Sequence, residues 1–449
     1  MNSTVDGDQH VGAAAGDEDT TIVLDISAEL TDDTESLSIT IGDIPDGAMI
    51  AIVNPSGEDV NIPVINGEAY IPAGLFELGG EIRLTPPPDS DEDFTLTITA
   101  TSTDANGDTG IVLCLTGSFN SNIDYRGWCV RVTKDGELIP TASGIRSPGG
   151  IGLNHLGEVF YADNQGPWNG SSSLKPLSHG SFQGHPGGFR WYDTAAAKAS
   201  MGKRPTQPKT NSRWVAERPK IPELVPSAIV FPHGILGNST AGFAYDSNGK
   251  FGPFKNQLLV CDQTFSVVNR AFLEKVNGVY QGAAFSFLKG FGSGNIAAHM
   301  QPNGTLFVGG TDRGWGARGG RRFALDRVTW IGKVPFEIHE MRAKPDGFEL
   351  TFTHEIDAIT AADPASYSMS AYTYIYRADY GSPVVDQTTP KIVGAEVKGP
   401  KTVRLTVDKL IQGHVHELRA KGVRSAKGLP ILHPVGYYTL NEIPPGDLN

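Results

Sequence analysis

Short segments in which apolar and polar residues alternate recur along the whole chain. Residues 37–41 and 94–99 alternate with a period of two. The same pattern returns near the C-terminus at residues 347–352 and 402–407. Alternation of this kind buries one face of a strand. Helical patterns are scarce, and the alanine-rich residues 194–201 form the best predicted helix. The pattern predicts an all-β fold.

Three apolar runs, each followed by polar residues, recur in the middle of the chain. Two of them end at Asp163 and Asp262, and the third is closed by Asp312. The intervals are 99 and 50 positions, which indicates a period near fifty. Short strands with a period of about 40–50 residues are typical of β-propeller blades. Residues 128–133, 137–142, 149–154 and 158–163 are predicted to form one blade.

The full pattern predicts three domains. Residues 1–110 are predicted to form an acidic β-sandwich, and residues 334–449 an Ig-like β-sandwich. Between them, residues 111–333 are predicted to form a partial β-propeller. This length holds four to five blades, at the low end of the roughly 4–8 blades of closed propellers, so we expect a partial ring. Residues 198–226, rich in proline and lysine, are predicted to be a long surface loop.

Charge is distributed unevenly along the chain. The net charge is −13, but residues 1–108 hold 23 acidic residues and one basic residue, so their net charge is −22. Residues 109–330 carry +10 and the remainder −1. The acidic segment repels nucleic acid and attracts cations. We therefore expect no nucleic-acid partner.

Several other classes of protein are excluded or disfavoured by the sequence. No run of about eighteen apolar residues exists, so no membrane span is expected. The three cysteines form no disulfide framework or multi-thiolate zinc site, and the absence of CxxCH excludes haem c. Cys261, inside an apolar run, is predicted to be a buried thiol. No signal peptide is visible.

The first segment contains GDEDTTIVLDISAELTD, ESLSITIGDIPDGA and PPPDSDEDFTLTITATSTDANGDTG. These stretches resemble the repeated Ig-like or cadherin-like domain of giant bacterial adhesins over residues 16–110. The resemblance implies Ca²⁺ binding by acidic residues near the domain ends, here Asp17, Asp19, Asp32, Asp33, Asp104 and Asp108, together with Glu18. The alternative is that these acids are solvated surface charge. The chain starts inside what resembles a repeat boundary, so we expect an upstream piece that is absent from it.

The remainder contains RSPGGIGLNHLGEVFYADNQGPWNGSSSLKPLSHGSFQGHPGGFRWYD, GTLFVGGTDRGWGARGG and WIGKVPFEIHEMRAKPDGFELTFTHEID. Over residues 119–445 these stretches resemble a planctomycete family named membrane-bound dehydrogenases. That family's propeller is similar to those of quinone-dependent glucose and sorbosone dehydrogenases. The resemblance implies an extracellular or periplasmic location. It also implies oxidation of a sugar or alcohol with pyrroloquinoline quinone and Ca²⁺.

Such a reaction needs a general base, a cation that polarises the quinone, and a surface for the planar ring. His185 and His233, in Gly/Pro-rich loops, are the candidate bases. The candidate cations are Arg190, Arg313, Arg321 and Arg322. Trp168 and Trp315 are the candidate rings for stacking. Further candidate contacts to the cofactor are Gln165, Asp163, Asp262 and Asp312. Each has a structural alternative: a loop histidine or tryptophan packs locally, and a repeated aspartate accepts hydrogen bonds from loop N–H groups.

Two hypotheses about function follow. In the first, His185 and Arg313 meet at one end of the propeller and oxidise a small sugar or alcohol. In the second, the protein is a non-catalytic extracellular binding or adhesion protein for a cell-surface glycan or protein. His414 and His416 share one strand face, and without an evident third ligand they are predicted to be exposed rather than metal-bound.

Overall fold

The structure is a computed structural model that describes residues 9–11, 20–24, 26–28, 35–53, 59–65, 67–72, 81–88, 90, 94–104, 109–112, 123–133 and 136–446. Strands dominate it and helices are short, so the predicted all-β class is confirmed. The chain divides into two compact units. Unit 1 comprises residues 1–110 and 131–138, and unit 2 comprises residues 111–130 and 139–449.

The strands of the first 112 residues are β1 Gln9–Val11, β2 Ile22–Leu24, β3 Ile26–Ala28, β4 Glu35–Gly42, β5 Met49–Val53, β6 Asp59–Ile62, β7 Val64–Ile65, β8 Glu68–Ile71, β9 Ile82–Thr85, β10 Thr97–Asp104 and β11 Thr109–Val112. The later strands up to the last blade are β12 Cys129–Val132, β13 Leu138–Ser143, β14 Pro148–Leu153, β15 Val159–Asp163, β16 Ser173–Pro176, β17 Ser181–Phe182, β18 Ile229–Val230, β19 Thr240–Tyr245, β20 Leu258–Asp262, β21 Val267–Val276, β22 Val279–Lys289, β23 Asn295–Met300, β24 Leu306–Thr311 and β25 Phe323–Val328.

The C-terminal strands are β26 Ile338–Lys344, β27 Gly347–Phe352, β28 Ser368–Tyr374, β29 Val384–Thr388, β30 Ile392–Gly399, β31 Thr402–Val407, β32 His414–Arg419 and β33 Val435–Leu440. The helices are α1 Ala195–Met201, α2 Trp214–Glu217 and α3 Ala358–Ala362, with 3₁₀ helices at Pro186–Asp193, Arg218–Lys220 and Pro364–Ser366. Helix α1 confirms the predicted alanine-rich helix. Among the residues described, no helix is long and apolar enough to cross a membrane.

Unit 1 contains a β-sandwich, as predicted. One antiparallel sheet has the strand order β2-β9-β5-β6 and the other the order β10-β4-β8-β7. The alternating isoleucines Ile39 and Ile41 of β4 pack with Ile50, Ile52 and Ile82 of the facing sheet. This shared core is what the period-two pattern of residues 37–41 encodes.

Unit 2 contains three sheets that lie side by side like propeller blades. Blade 1 is β14-β15-β16-β18, blade 2 is β19-β20-β21-β22, and blade 3 is β23-β24-β25. Their first strands approach closely, because a Cβ on Gly150 would lie 2.5 Å from the Cα of Gly242. A Cβ on Gly242 would in turn lie 2.9 Å from the carbonyl oxygen of Ile296. Small residues therefore let β14, β19 and β23 pack backbone against backbone.

Two sequence interpretations of this region are wrong. The four strands assigned to one blade occur with nearly the expected bounds, but β12 and β13 belong to a different sheet from β14 and β15. Residues 198–226 are not simply a surface loop, because they contain α2 and a 3₁₀ helix. They also bury Ile221 and Leu224 against Trp128 and Phe182. The few apolar residues of this segment are separated by prolines and form no helical or strand periodicity, so the sequence pattern did not indicate their burial.

The C-terminal sandwich is also present. The sheet β26-β27-β31-β30 packs on strands β22, β33, β32 and β28 around Phe285, Leu350, Leu405 and Tyr438. Strands β33, β32, β28 and β29 continue blade 2 into one eight-stranded sheet, with Ala283 of β22 opposite Tyr438 of β33. Hydrogen bonds therefore cross the predicted boundary at residues 333 and 334, and both segments belong to unit 2. The three-domain division stays a prediction.

Candidate functional site

Asp163 and Asp262 lie at the same end of their blades. At this end β15, β20 and β24 finish, and β14, β19 and β23 begin; we call it the Asp end. The register pairs Asp163 with Pro148 and Asp262 with Thr240. The equivalent residue of blade 3 is Gly310, which pairs with Asn295. Asp312 lies two residues farther along, so its assignment as the third repeat aspartate is wrong.

Asp163 is tied to its surroundings by three side-chain contacts. Its Oδ1 accepts a hydrogen bond from the Ser147 amide at 2.8 Å. Its Oδ2 accepts from Lys175 Nζ at 3.0 Å and from the Tyr161 hydroxyl at 3.1 Å. The side chains of Lys175 and Asp163 are 2% and 0% exposed, so this ion pair is fully buried. Lys175 also donates to the Gln183 carbonyl at 3.0 Å.

Asp262 plays the same part in blade 2, where no lysine or arginine among the described residues lies within ion-pair distance of it. Its Oδ2 accepts hydrogen bonds from the amides of Asn238 and Ser239, both at 2.8 Å, and its Oδ1 accepts from the Phe265 amide at 2.7 Å. Burial raises the pKa of this carboxyl, and the three amides oppose the shift. Both aspartates therefore accept hydrogen bonds from loop amides at a strand end, as the structural alternative predicted.

These contacts do not fit a Ca²⁺ site at the Asp end. Calcium needs six to eight oxygen ligands, but the carboxylate oxygens of Asp163 and Asp262 already accept from protein donors. In the described part of the chain, no group of three or more His, Cys, Asp or Glu is placed to hold a metal ion. The predicted N-terminal ligands Asp17, Asp19, Asp32, Asp33 and Asp108 lie outside the described residues, as does the side chain of Asp104.

His185 is buried in this fold and caps a short helix. It is 3% exposed and forms the N-cap of the 3₁₀ helix Pro186–Asp193, where its Nδ1 accepts from the Gly187 amide at 3.1 Å. Burial lowers the pKa of His185 to about 3; the charge of Asp163 opposes this, while Arg146 and Lys175 reinforce it. At neutral pH the imidazole is uncharged and a weak base. These features favour the structural alternative for His185 over a catalytic one.

The low pKa of His185 makes a specific prediction about acid stability. The folded pKa of about 3 is below the unfolded value near 6.5, so the unfolded state binds the proton first and stability falls as the pH drops below about 6.5. His185→Asn keeps an N-cap acceptor and removes the titration. We expect wild type to lose up to about 2 kcal/mol more than this variant between pH 7.5 and 5.0. Parallel losses in melting temperature across this range would contradict the shift.

Trp168 and Gln165 are buried rather than displayed. The Trp168 amide donates to the Arg377 carbonyl at 2.7 Å, and its ring packs edge-on against Tyr376 at 5.0 Å. Gln165 Nε2 donates to the Gly170 carbonyl at 3.1 Å. Tyr376 further contacts Trp214 and donates to the Gly184 carbonyl. Local packing accounts for these positions, which are poorly placed to stack on a ligand.

A second set of predicted residues is exposed. His233 lies on the surface before β19, and its pKa is lowered by partial burial while the nearby Asp262 opposes the shift. Arg313 and Trp315 are exposed after β24, with the Trp315 side chain 57% accessible. Arg190 lies half-buried with its guanidinium 4.8 Å from the Trp191 ring centre. The predicted meeting of His185 with Arg313 stays a prediction, with one residue buried and the other exposed.

The prediction for the paired histidines is corrected. His416 is fully buried, not exposed: it packs 5.5 Å from the Phe348 ring, and its Nε2 accepts from the Ile411 amide at 3.3 Å. Burial lowers the pKa of His416 to about 3. The period-two rule gave the face of β32 correctly, but it could not show that this face meets β27.

Sequence reasoning missed a cleft of about 600 Å³ beside the 3₁₀ helix Pro186–Asp193. Lys198, Lys203 and Arg204 line it together with Asp193 and Tyr192. The basic run GKR at residues 202–204 was the available signal, but it lay in a segment interpreted as a loop. Lys175 was missed as well, since nothing in SLKP shows that the lysine is buried.

Comparisons with known proteins add little to this picture. No protein-family model and no curated protein matches the chain. Among solved structures, the chain is similar to a Thermus thermophilus protein described as a candidate oxidoreductase (glucose dehydrogenase), with 15% identity and a TM-score of 0.33. That match covers 72% of this chain and 93% of the other. A likeness this distant carries no argument about function.

Proposed function

We propose that this chain is an extracytoplasmic β-propeller protein of the glucose and sorbosone dehydrogenase type that binds a carbohydrate at the Asp end without oxidising it. One contrast supports the proposal. The groups that would do chemistry, His185 and Asp163, are buried and engaged by protein donors. The exposed groups His233, Arg313 and Trp315 are suited to recognition, because an indole ring and a guanidinium bind sugar faces and polar substituents.

Adhesion to a cell-surface glycan is consistent with the resemblance of residues 16–110 to adhesin repeats. We propose that Ca²⁺ acts there, in the acidic N-terminal segment, rather than at the Asp end.

We propose enzymatic oxidation as a second candidate function, which one observation favours. His233 is exposed, and partial burial lowers its pKa while the charge of nearby Asp262 opposes that shift. A histidine beside a carboxylate can act as a general base. In this alternative His233, and not His185, would take the hydroxyl proton of a sugar or alcohol during quinone-dependent oxidation.

Binding to a carbohydrate panel tests the proposed function. We expect the full chain to bind at least one immobilised polysaccharide, and Trp315→Ala to weaken that binding about tenfold or more, as loss of a stacked aromatic anchor does. Trp330→Phe, outside the Asp-end loops, is the control. In a second arm, Ca²⁺ and pyrroloquinoline quinone are added and dye-coupled oxidation is recorded. Turnover that His233→Ala abolishes would replace the binding function by the enzymatic one, and no binding with no turnover would refute both.

A further inference from the structure

The hairpin loop between β24 and β25 carries an unusual concentration of arginine. We call residues 312–322, with the sequence DRGWGARGGRR, the arginine loop. Its four arginines are exposed, and so is Arg327 on the adjoining strand. Among the described residues, none of these five guanidinium groups has a carboxylate within ion-pair distance. The arginine loop therefore presents guanidinium donors that form no ion pair with the part of the chain that the structure describes.

Several arginines elsewhere in unit 2 pair with carboxylates. Arg213 pairs with Asp386, Arg218 pairs with Glu442, and Arg342 contacts Glu274 and Glu340. Carboxylates are thus available in this unit and pair with several half-buried arginines, whereas no described carboxylate lies within ion-pair distance of the guanidinium groups of the arginine loop. Unpaired like charges held together repel one another, a cost that an anionic ligand would offset.

The backbone of the arginine loop is held in place, so its side chains are presented on a fixed frame. The Asp312 amide donates to the Arg322 carbonyl at 3.1 Å and closes the base of the loop. The Arg318 amide donates to the Thr264 carbonyl at 3.0 Å, and its guanidinium lies 4.0 Å from the Phe265 ring centre. The Arg321 amide donates to the Gly292 carbonyl at 3.0 Å. A preorganised loop loses little conformational entropy when a ligand binds.

Trp315 lies in the same loop between Gly314 and Gly316, with 57% of its surface accessible. A Cβ on Gly316 would meet nothing within 4 Å, so the space around the residue that follows Trp315 is open. One exposed indole together with several guanidinium groups suits a polysaccharide that bears carboxylates or sulfates. The indole can stack on the face of a sugar ring, and each guanidinium can donate two hydrogen bonds to one oxyanion. A nucleic acid would use several stacking rings, and a bilayer would use a continuous apolar surface at the loop tip.

We propose that the arginine loop binds an acidic polysaccharide through its arginines and Trp315. This inference rests on the proposed carbohydrate-binding function and adds the substrate class and the loop responsible. Electrostatic binding of this kind should weaken steeply with salt, since exposed charges are screened within about 10 Å at 0.1 M ionic strength.

The test uses the full chain with immobilised polygalacturonate, dextran sulfate and neutral dextran at 50 and 300 mM NaCl. We expect binding to one or both acidic polymers, at least tenfold weaker in high salt. Arg321→Gln combined with Arg322→Gln should reduce the affinity at least tenfold. The control combines Lys421→Gln with Lys427→Gln, which removes the same charge from exposed positions in the C-terminal sandwich. Unchanged melting temperatures would show that the variants are folded.

Other outcomes overturn the inference in distinguishable ways. Equal, salt-insensitive binding of dextran and the acidic polymers would remove the acidic specificity but keep the proposed function. Absence of binding to any polymer would remove both. Tighter binding to duplex DNA or to phosphatidylserine vesicles than to the acidic polymers would assign the loop to another anion. If Lys203→Gln with Arg204→Gln abolished binding while the loop variant did not, the site would be the cleft beside the 3₁₀ helix.

Discussion

Replacing Lys175 by methionine should destabilise unit 2 by about 3–5 kcal/mol, because removing one partner of a buried ion pair leaves the other charge uncompensated. Methionine fills a similar volume, so packing beside Trp214 is largely kept. Asp163 would retain its bonds from the Ser147 amide and the Tyr161 hydroxyl but lose the only cation that contacts it among the described residues. Urea denaturation followed by tryptophan fluorescence reports the loss, since all six tryptophans lie in unit 2.

The matched control is the exposed pair Arg213–Asp386, whose side chains are 32% and 46% accessible and whose closest N–O distance is 2.6 Å. Arg213→Gln should cost about 0–1 kcal/mol, since solvent screens such a pair. Combining Asp163→Asn with Lys175→Met should recover part of the lost stability, because it removes the buried carboxylate that Lys175→Met leaves without a cation. Equal losses for Lys175→Met and Arg213→Gln, or no recovery in the double variant, would show that the Asp163–Lys175 pair does not stabilise the unit as argued.

Local alternation was sufficient to predict many strands almost to the residue. Strands β27 and β31 have the bounds that the pattern gave, Gly347–Phe352 and Thr402–Val407. Each has one face packed in the C-terminal core, and such strands carry a clean period of two. Strand β20 reads as an uninterrupted apolar run because both of its faces are covered: Leu258 and Val260 face one core while Leu259 and Cys261 face another. Cys261 is accordingly buried, as predicted.

Pairing between distant strands left no signal in the sequence. Ala283 lies opposite Tyr438, and neither local pattern indicates that partner, so the eight-stranded sheet was not foreseen. The Asp312 assignment failed for a related reason: a residue count cannot separate the end of a strand from the start of a hairpin loop. Burial of Lys175 and His416 was equally hidden, since neither local sequence shows the partner that each meets in the fold, Asp163 for Lys175 and Phe348 for His416. The candidate site therefore depended more on tertiary context than the fold class did.

Gly149→Ala should be among the most damaging single substitutions in unit 2. An added Cβ would lie 2.1 Å from the carbonyl oxygen of Thr240 and 3.0 Å from the Cα of Ala241, both backbone atoms of the neighbouring blade. No side-chain rotation relieves such a clash, so β14 and β19 must separate. Overpacking typically costs about 1–3 kcal/mol and more where backbone must move, and we expect the upper part of this range or loss of folding. Thermal unfolding monitored by tryptophan fluorescence measures it.

Substitutions at two further glycines keep the prediction testable even if Gly149→Ala does not fold, because they give an expected order of destabilisation. Gly242→Ala places a Cβ 2.9 Å from the Ile296 carbonyl oxygen, a milder clash between β19 and β23, and should lower the melting temperature less. Gly316→Ala meets nothing within 4 Å and should change it little. The expected order of destabilisation is therefore Gly149, then Gly242, then Gly316, and it follows from backbone separation alone. Tolerance of alanine at both Gly149 and Gly242 would mean that the first strands of the blades do not pack this closely, and the propeller-like arrangement that places His233 and the arginine loop at one end would lose its physical basis.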